Sequence, residues 1–344
     1  MTPAIFGLAG PRLSDDERAF FREADPVGYI LFQRNCVDRE QLRALADDLR
    51  AIHGRDRLFL SIDQEGGRVA RMKPPAWRKY PAGELFARLY QAAPLSAVEA
   101  VRANAEAMGH ELAECGITVN FHAPLDIGRD ETDQVIGDRA LGRDPMQVAA
   151  LGRAMIEGFS RAGIAGCLKH MPGHGRATVD SHKELPVVTA SAAELEEDIA
   201  PFRRLSATPI GMSAHIIYTA WDAENLATLS STVIETIIRG EIGFDGLLLT
   251  DDIDMEALSG TIHERAERAI AAGCDVVLNC WARMGDMEAI AQRLPALTPE
   301  GERRLSDALE RGIPGEQALP GRSERIEALL AKRDALVGAA EIAA

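Results

Sequence analysis

No apolar run in the 344-residue chain approaches the roughly 20 residues that a membrane-spanning helix requires. The first residues, MTPAIFGLAGPRLSDDER, hold no basic stretch followed by a long apolar one. Both absences point to a soluble, unexported protein, cytoplasmic and without membrane partners. Cysteine is sparse and scattered: Cys36, Cys115, Cys167, Cys274 and Cys280 are odd in number and include no C-x-x-C pair, which argues against a disulfide framework or structural zinc and for reduced, buried thiols. Excess positive charge is also lacking. With 38 Lys and Arg against 53 Asp and Glu, the net charge is −15 and there is no local basic patch, so a nucleic acid or an anionic bilayer would be repelled. No Pro/Ser-rich linker divides the chain and no strict repeat runs through it, so one domain is expected over residues 1–344.

What the chain does have is apolar content and rhythm. At 46% hydrophobic residues it can bury a large core. Short apolar runs alternate with longer segments of helical period, the pattern of βα units around a parallel sheet. Eight runs read as strands: Ala4–Leu8, Gly28–Phe32, Leu58–Ile62, Ile117–Phe121, Ile164–Leu168, Ile210–Ala214, Gly246–Thr250 and Val276–Asn279. Eight strands with intervening helices predict an α/β fold of the (β/α)8 barrel type, with an open doubly wound sheet as the competing architecture. Ser14 with Glu17, Ser96 with Glu99 and Ser191 with Glu194 have capping-box spacing for helix starts. Gly116, Gly163, Gly243 and Gly273 each sit where a helix should stop. From about residue 298 the spacing predicts further helices, over 302–311 and 322–335, packed outside the barrel, and a frayed Ala-rich end from Val337.

The chemistry concentrates in Lys169–His182, KHMPGHGRATVDSH. Its glycines and proline forbid a helix and argue against a core strand, so it reads as a reactive loop delivered by the apolar run before it. Other strands also end in polar groups: Asp63 with Gln64-Glu65-Gly66-Gly67-Arg68-Val69-Ala70-Arg71, Asp126, His215, and Asp251-Asp252. In a barrel these would gather at one opening. A catalytic metal fits poorly, because Pro172 and Gly173 separate His170 from His174 and deny them helical zinc-pair geometry. Acid–base chemistry fits better. Asp180 and His182 are two apart, so the carboxylate can hold one imidazole nitrogen while the other faces a substrate. Asp251 at the end of Gly246–Thr250 is placed to be a fixed nucleophile, or else the N-cap of a helix beginning near Ile253. Adjacent residues at a strand end face opposite ways, and on these grounds either Asp251 or Asp252 could take either part. His174, between two glycines, reads as a hydrogen bonder that stabilises the loop.

K-H-x-P-G-H-G, four residues, then D-S-H resembles the signature of the bacterial β-N-acetylhexosaminidases of glycoside hydrolase family three. Further landmarks of that family follow in order at Ile62–Val69, Val135–Arg139, Met212–His215 and Thr250–Met255, so the resemblance spans roughly residues 1–290. It implies a (β/α)8 barrel that removes terminal N-acetylglucosamine with retention, through a covalent glycosyl-enzyme and without a cofactor or metal. Carried over, Asp251 is the nucleophile, His182 the acid/base and Asp180 its partner, while Asp63, Arg71, Arg139, Lys169 and His170 bind the sugar. Met171 departs from the phenylalanine or other apolar residue usual there. The implied substrates are small carbohydrates, N-acetylglucosaminyl-anhydromuramyl fragments of cell-wall turnover; the sequence leaves the oligomeric state open, with a monomer favoured. The alternatives are a phosphorylase, whose neutral imidazole base would repel phosphate less than a carboxylate, and an inactive sugar-binding barrel.

Overall fold

The computed structural model describes residues 1–130, 136–179, 185–311 and 322–343. In chain order its strands are β1 (Thr2–Gly7), β2 (Pro26–Leu31), β3 (Phe59–Ile62), β4 (Val119–Asn120), β5 (Ala165–Gly166), β6 (Leu168–Met171), β7 (Val187–Val188), β8 (Ile210–Ser213), β9 (Ile217–Tyr218), β10 (Leu247–Asp252) and β11 (Val276–Asn279). The helices are α1 (Asp15–Ala24), α2 (Arg39–His53), α3 (Gly83–Ala92), α4 (Pro94–Glu114), α5 (Pro145–Ala162), α6 (Ala192–Arg204), α7 (Ile262–Ala272), α8 (Met284–Arg293), α9 (Pro299–Arg311) and α10 (Arg322–Ala343), with a π-helical segment at Val233–Glu241.

Nine strands form one sheet in the order β5-β4-β3-β2-β1-β11-β10-β8-β6, every pairing parallel. β5 and β6 are two halves of one run, broken only at Cys167, where the chain leaves β4 to pair with β8. That step closes the ring, and the Pro124–Lys169 bridge supports it. The molecule is therefore a (β/α)8 barrel of eight chain runs, close to the eight expected. The small β7–β9 sheet lies apart from the ring.

Strands covered on both faces need apolar residues on both. One set, including Ile5, Ile30, Phe59, Val119, Cys167, Met212, Leu247, Leu249, Val276 and Leu278, fills the bore. The alternating set, including Phe6, Tyr29, Leu60, Leu248 and Val277, packs on the surrounding helices. Leu297, Leu305 and Ala308 join the bore set, so α9 seals the amino end of the barrel instead of lying on its outer wall as expected. Arg304 anchors it there on Asp275 at 2.9 Å and on Asp245 at 2.9 Å.

The capping boxes at Ser14/Glu17 and Ser191/Glu194 are present. The one expected at Ser96/Glu99 is not. Pro94 opens α4 two residues earlier, because its fixed φ suits a first helical turn and its missing N–H needs no cap. Glu99 pairs instead with Arg102 and Lys332. α10 continues past Val337, where fraying was expected to begin, to Ala343, in keeping with the high helix propensity of alanine. No helix among the described residues is long and apolar enough to cross a membrane.

Candidate active site

The site lies at the carboxyl end of the strands, and the turn after β3 builds its first wall. Gly66 and Gly67 have φ of 98° and 55°, a left-handed pair in which a Cβ on Gly66 would stand 2.2 Å from the Pro81 carbonyl oxygen. The reversal lets the N–H groups of Glu65 and Gly66 both donate to Val69 O, at 2.9 and 3.1 Å. Gln64 pins the returning strand, accepting from the N–H groups of Arg71 (2.8 Å) and Met72 (3.1 Å). Glu65 and Arg71 are thereby held on one side of the opening.

Five side chains then form a row of alternating charge. Arg139 donates to both oxygens of Glu65 through Nε (2.9 Å) and Nη2 (2.8 Å). Lys169 Nζ sits 2.7 Å from Glu65 and 3.2 Å from Asp63, and Asp63 accepts from Arg71 at 3.2 Å. Glu65 and Lys169 are each 3% exposed, so the inner pair is desolvated and holds together only because every charge has a partner. Burial alone would raise the Glu65 carboxyl, but Arg139 and Lys169 outweigh it and hold it well below the usual carboxylate range. Lys169 shows the mirror case: burial works against its charge, while Glu65 and Asp63 keep the ammonium protonated.

A second cluster stands beside this row. Asp126, fully buried, takes the ring Nδ1 of His170 at 2.8 Å and the backbone N–H groups of His170 (3.1 Å) and His174 (2.6 Å). Burial would raise Asp126, but His170 and His174 bring it down to about 2. With Nδ1 so occupied, His170 turns Nε2 toward Asp251 Oδ2, 4.0 Å away. His174 stabilises this corner through its backbone N–H, and its ring meets His170 edge-on at 5.5 Å between centroids.

Two strand irregularities bring adjacent residues to the same opening. Between β6 and β8 the partners run Leu168–Gly211 then Met171–Ser213, and between β10 and β11 they run Leu249–Val276 then Asp252–Leu278. In each case three residues on one strand oppose two on the other, which is a bulge, and the alternation of faces is broken there. Lys169 and His170 therefore both line the cavity, as do Asp251 and Asp252. This corrects two expectations. Lys169 and His170 belong to a buried strand and not to a loop, and the two aspartates do not face opposite ways. Nor does either cap a helix at Ile253, for the next helix starts at Ile262 under a Thr261/Glu264 capping box.

The neighbouring aspartates differ in their partners. Asp252 accepts backbone N–H groups from Asp254 and Cys280, each at 3.2 Å, and burial, with Asp254 beside it, pushes its carboxyl up to about 7. Asp251 accepts the Asp252 N–H at 2.8 Å and keeps its other oxygen toward His170, with its side chain 19% exposed to the cavity. Behind them His215 holds the Asp252 carbonyl at 3.0 Å through Nε2. Its Nδ1 lies 2.8 Å from Thr228 Oγ1, which also meets Ser213.

The resulting cavity, about 230 Å³, is lined by Asp63, Glu65, Arg71, Arg139, Lys169, His170, Asp251 and Asp252 on its polar side and by Phe32, Met212, Leu278 and Cys280 on its apolar side. Drug-sized ligands usually occupy about 300–1,000 Å³, so this space suits one small ring. The Arg71 Nε is buried and has no hydrogen-bond partner among the described residues. All six expected residues within the described chain, Asp63, Arg71, Arg139, Lys169, His170 and Asp251, meet here. Asp180 and His182 lie outside the described residues. Glu65 joins the site although the sequence singled it out only as part of a polar run, and Asp126 enters as the partner of His170. Among the described residues no group of three or more His, Cys, Asp or Glu is placed to hold a metal.

A barrel with paired charges and carboxylates around a ring-sized cavity at its carboxyl end is the architecture of a barrel glycosidase. Residues 7–313 match the family described as Glycosyl hydrolase family 3 N terminal domain, and the chain belongs to that family. A β-hexosaminidase of Alkalilimnicola ehrlichii is 39% identical over 308 residues, 88% of this chain and 87% of that one. Another from Bordetella avium is 38% identical over 283 residues, 81% and 80% of the two chains. The crystal structure of NagZ from Neisseria gonorrhoeae in complex with N-trifluoroacetyl-D-glucosamine superposes with a TM-score of 0.85 at 30% identity, covering 98% of each chain.

Proposed function

We propose that the protein is a retaining exo-β-N-acetylglucosaminidase, and the observation that carries this reading is the placement of Asp251. It is a carboxylate at the rim of a ring-sized cavity, held by a backbone N–H on one oxygen and turned toward His170 Nε2 with the other, and its side chain reaches the space a bound sugar would fill. Asp251 attacks the anomeric carbon and forms a covalent glycosyl-enzyme. The bond to the leaving group breaks as a proton passes to its oxygen from His182, which Asp180 orients. Water, deprotonated by the same imidazole, then releases the sugar with its configuration retained.

The charged row performs the recognition. Asp63 and Lys169 offer an acceptor and a donor to vicinal hydroxyls, Arg71 adds its guanidinium to the cavity wall, and Arg139 lies behind them on Glu65. His170 supports Asp251 through Nε2. A cavity of this size takes one terminal residue, which makes the cleavage exo-acting. Homologues named β-hexosaminidase and a superposable enzyme bound to an N-acylated glucosamine support N-acetylglucosamine as that residue. The natural substrates in this reading are soluble peptidoglycan turnover fragments, N-acetylglucosaminyl-anhydromuramic acid and its peptides, cleaved in the cytoplasm.

Mass spectrometry after incubation with a 5-fluoro N-acetylglucosaminyl donor tests the mechanism. A single added sugar on the peptide containing Asp251 is expected, and labelling elsewhere, or none despite turnover, rejects it. Replacing His182 by Ala should cost far less on aryl glycosides with good leaving groups than on disaccharides, because only the latter need protonation. Equal losses would remove His182 from the acid's role.

A further inference from the structure

Trp281 is a large side chain on the catalytic face that the site described above does not use. It is 58% exposed, while the remaining described tryptophans are buried (Trp77) or half-buried (Trp221). It follows Cys280, which lines the cavity wall, at the carboxyl end of β11. Other large apolar side chains are as exposed, such as Leu95 and Val37, so what sets this indole apart is its place at the end of a barrel strand beside the cavity wall.

Its setting is fixed by the loop that carries Asp251. Asp254, three residues beyond Asp251, accepts a hydrogen bond from the Asn279 side-chain nitrogen at 2.6 Å. The Arg283 guanidinium lies 3.7 Å from Asp254 and stacks over the indole at 5.5 Å from its centroid. Between them Ala282 adopts a left-handed φ of 55°, an uncommon conformation for a residue with a Cβ, and it reverses the chain so that Arg283 returns over Trp281. The indole is thus tied on one side to the reactive loop.

Direction completes the argument, which rests on the function proposed above. The hydroxyl-binding groups Asp63, Lys169 and Arg139 come from β3, β6 and the segment after β4, on one side of the ring of strands. Asp251 comes from β10, which pairs directly with β11. In a β-pyranoside the equatorial C1–O bond points away from the C4 end of the ring, so a sugar with its hydroxyls on the first wall sends its leaving group across the opening, to the side where β11 and Trp281 stand, while Asp251 meets the other face of the anomeric carbon. The C–H face of a pyranose carries slight positive charge and little hydration, and it suits the electron-rich face of an indole.

We propose that Trp281, backed by Arg283, is the platform on which the leaving-group sugar stacks, making it a specificity-determining residue for glycosidic over non-sugar leaving groups. The test compares two donors that share the N-acetylglucosaminyl group: N,N′-diacetylchitobiose, whose leaving group is a sugar, and N-acetylglucosaminyl fluoride, whose leaving group has no ring. In Trp281→Ala the ratio of kcat/KM for the disaccharide to that for the fluoride should fall about tenfold, carried mainly by KM, and Trp281→Phe should recover most of it. A direct binding readout accompanies this: a thio-linked disaccharide should shift the tryptophan emission of the native enzyme, and both the shift and its selectivity over free N-acetylglucosamine should vanish in Trp281→Ala. An unchanged ratio, or an emission shift that survives the substitution, overturns the platform while leaving the glycosidase intact. Failure of the native enzyme to cleave either donor overturns both.

Discussion

The two ends of the barrel are made by the same eight runs of chain, and they differ in what they bury. At the amino end the bore is closed by Leu297, Leu305 and Ala308, and the charges around it, such as Arg304 with Asp245 and Asp275, lie at the edge of the apolar plug. At the carboxyl end the bore is closed by charge itself: Glu65, Lys169 and Asp126 are all withdrawn from water and survive by mutual pairing. Stability comes cheaply from the first arrangement. The second is costly to desolvate, and it supplies preorganised donors and acceptors that an apolar plug cannot offer a sugar.

That contrast can be broken from either end. The largest expected effect is on chemistry alone: Asp251→Asn should lower turnover of an aryl β-N-acetylglucosaminide on the order of 10⁴-fold while thermal unfolding stays close to native. Near-normal rates would place the nucleophile elsewhere. Glu65→Gln should damage both properties, because Lys169 and Arg139 would be left facing each other without their shared carboxylate. A stability loss of about 3 kcal/mol in urea titrations, with a rise in KM, is expected, and a silent substitution would mean the row is not held by charge. At the opposite end, Leu305→Ala should cost about 3 kcal/mol through the cavity it opens and leave kcat/KM within twofold. A matching loss of activity would show that the two ends are not separable.

The smallest effect concerns acid. Asp126 is held at about 2 against an ordinary 3.8, so its ionised form contributes stability above the unfolded value. That contribution, about 2 kcal/mol, is lost as pH falls from about 4 toward 2. Asp126→Asn should therefore flatten the acid limb of stability measured across that window, and an unaltered limb would assign the acid sensitivity to other carboxylates.

Much of this was legible in the chain. The eight apolar runs are the eight staves of the barrel, and the order of Asp63, Lys169 and Asp251 at their ends already placed them at one opening. The gathering of those residues follows from topology, which a pattern of runs and caps conveys. What the pattern could not convey is local. Nothing in Leu168–Met171 or Leu249–Asp252 marks an extra residue in the ladder, because bulges depend on how a neighbouring strand is paired. Hence the reading of Lys169–His182 as a loop throughout, and of Asp251 and Asp252 as opposed. Glu65 was hidden among polar neighbours, although the two glycines after it are the trace of a tight reversal that aims it inward. The position of α9 was missed for a similar reason: an amphipathic helix reads alike whether its apolar stripe meets a wall or stops a bore.

The plug has a bearing on biosynthesis. Leu297, Leu305 and Ala308 leave the ribosome only after the last stave, Val276–Asn279, so the apolar layers of the bore can assemble before anything is available to cover their amino end. During translation the nascent ring therefore presents an uncovered apolar layer at its amino end, and the protein's exposure to chaperones should be greatest in that brief interval.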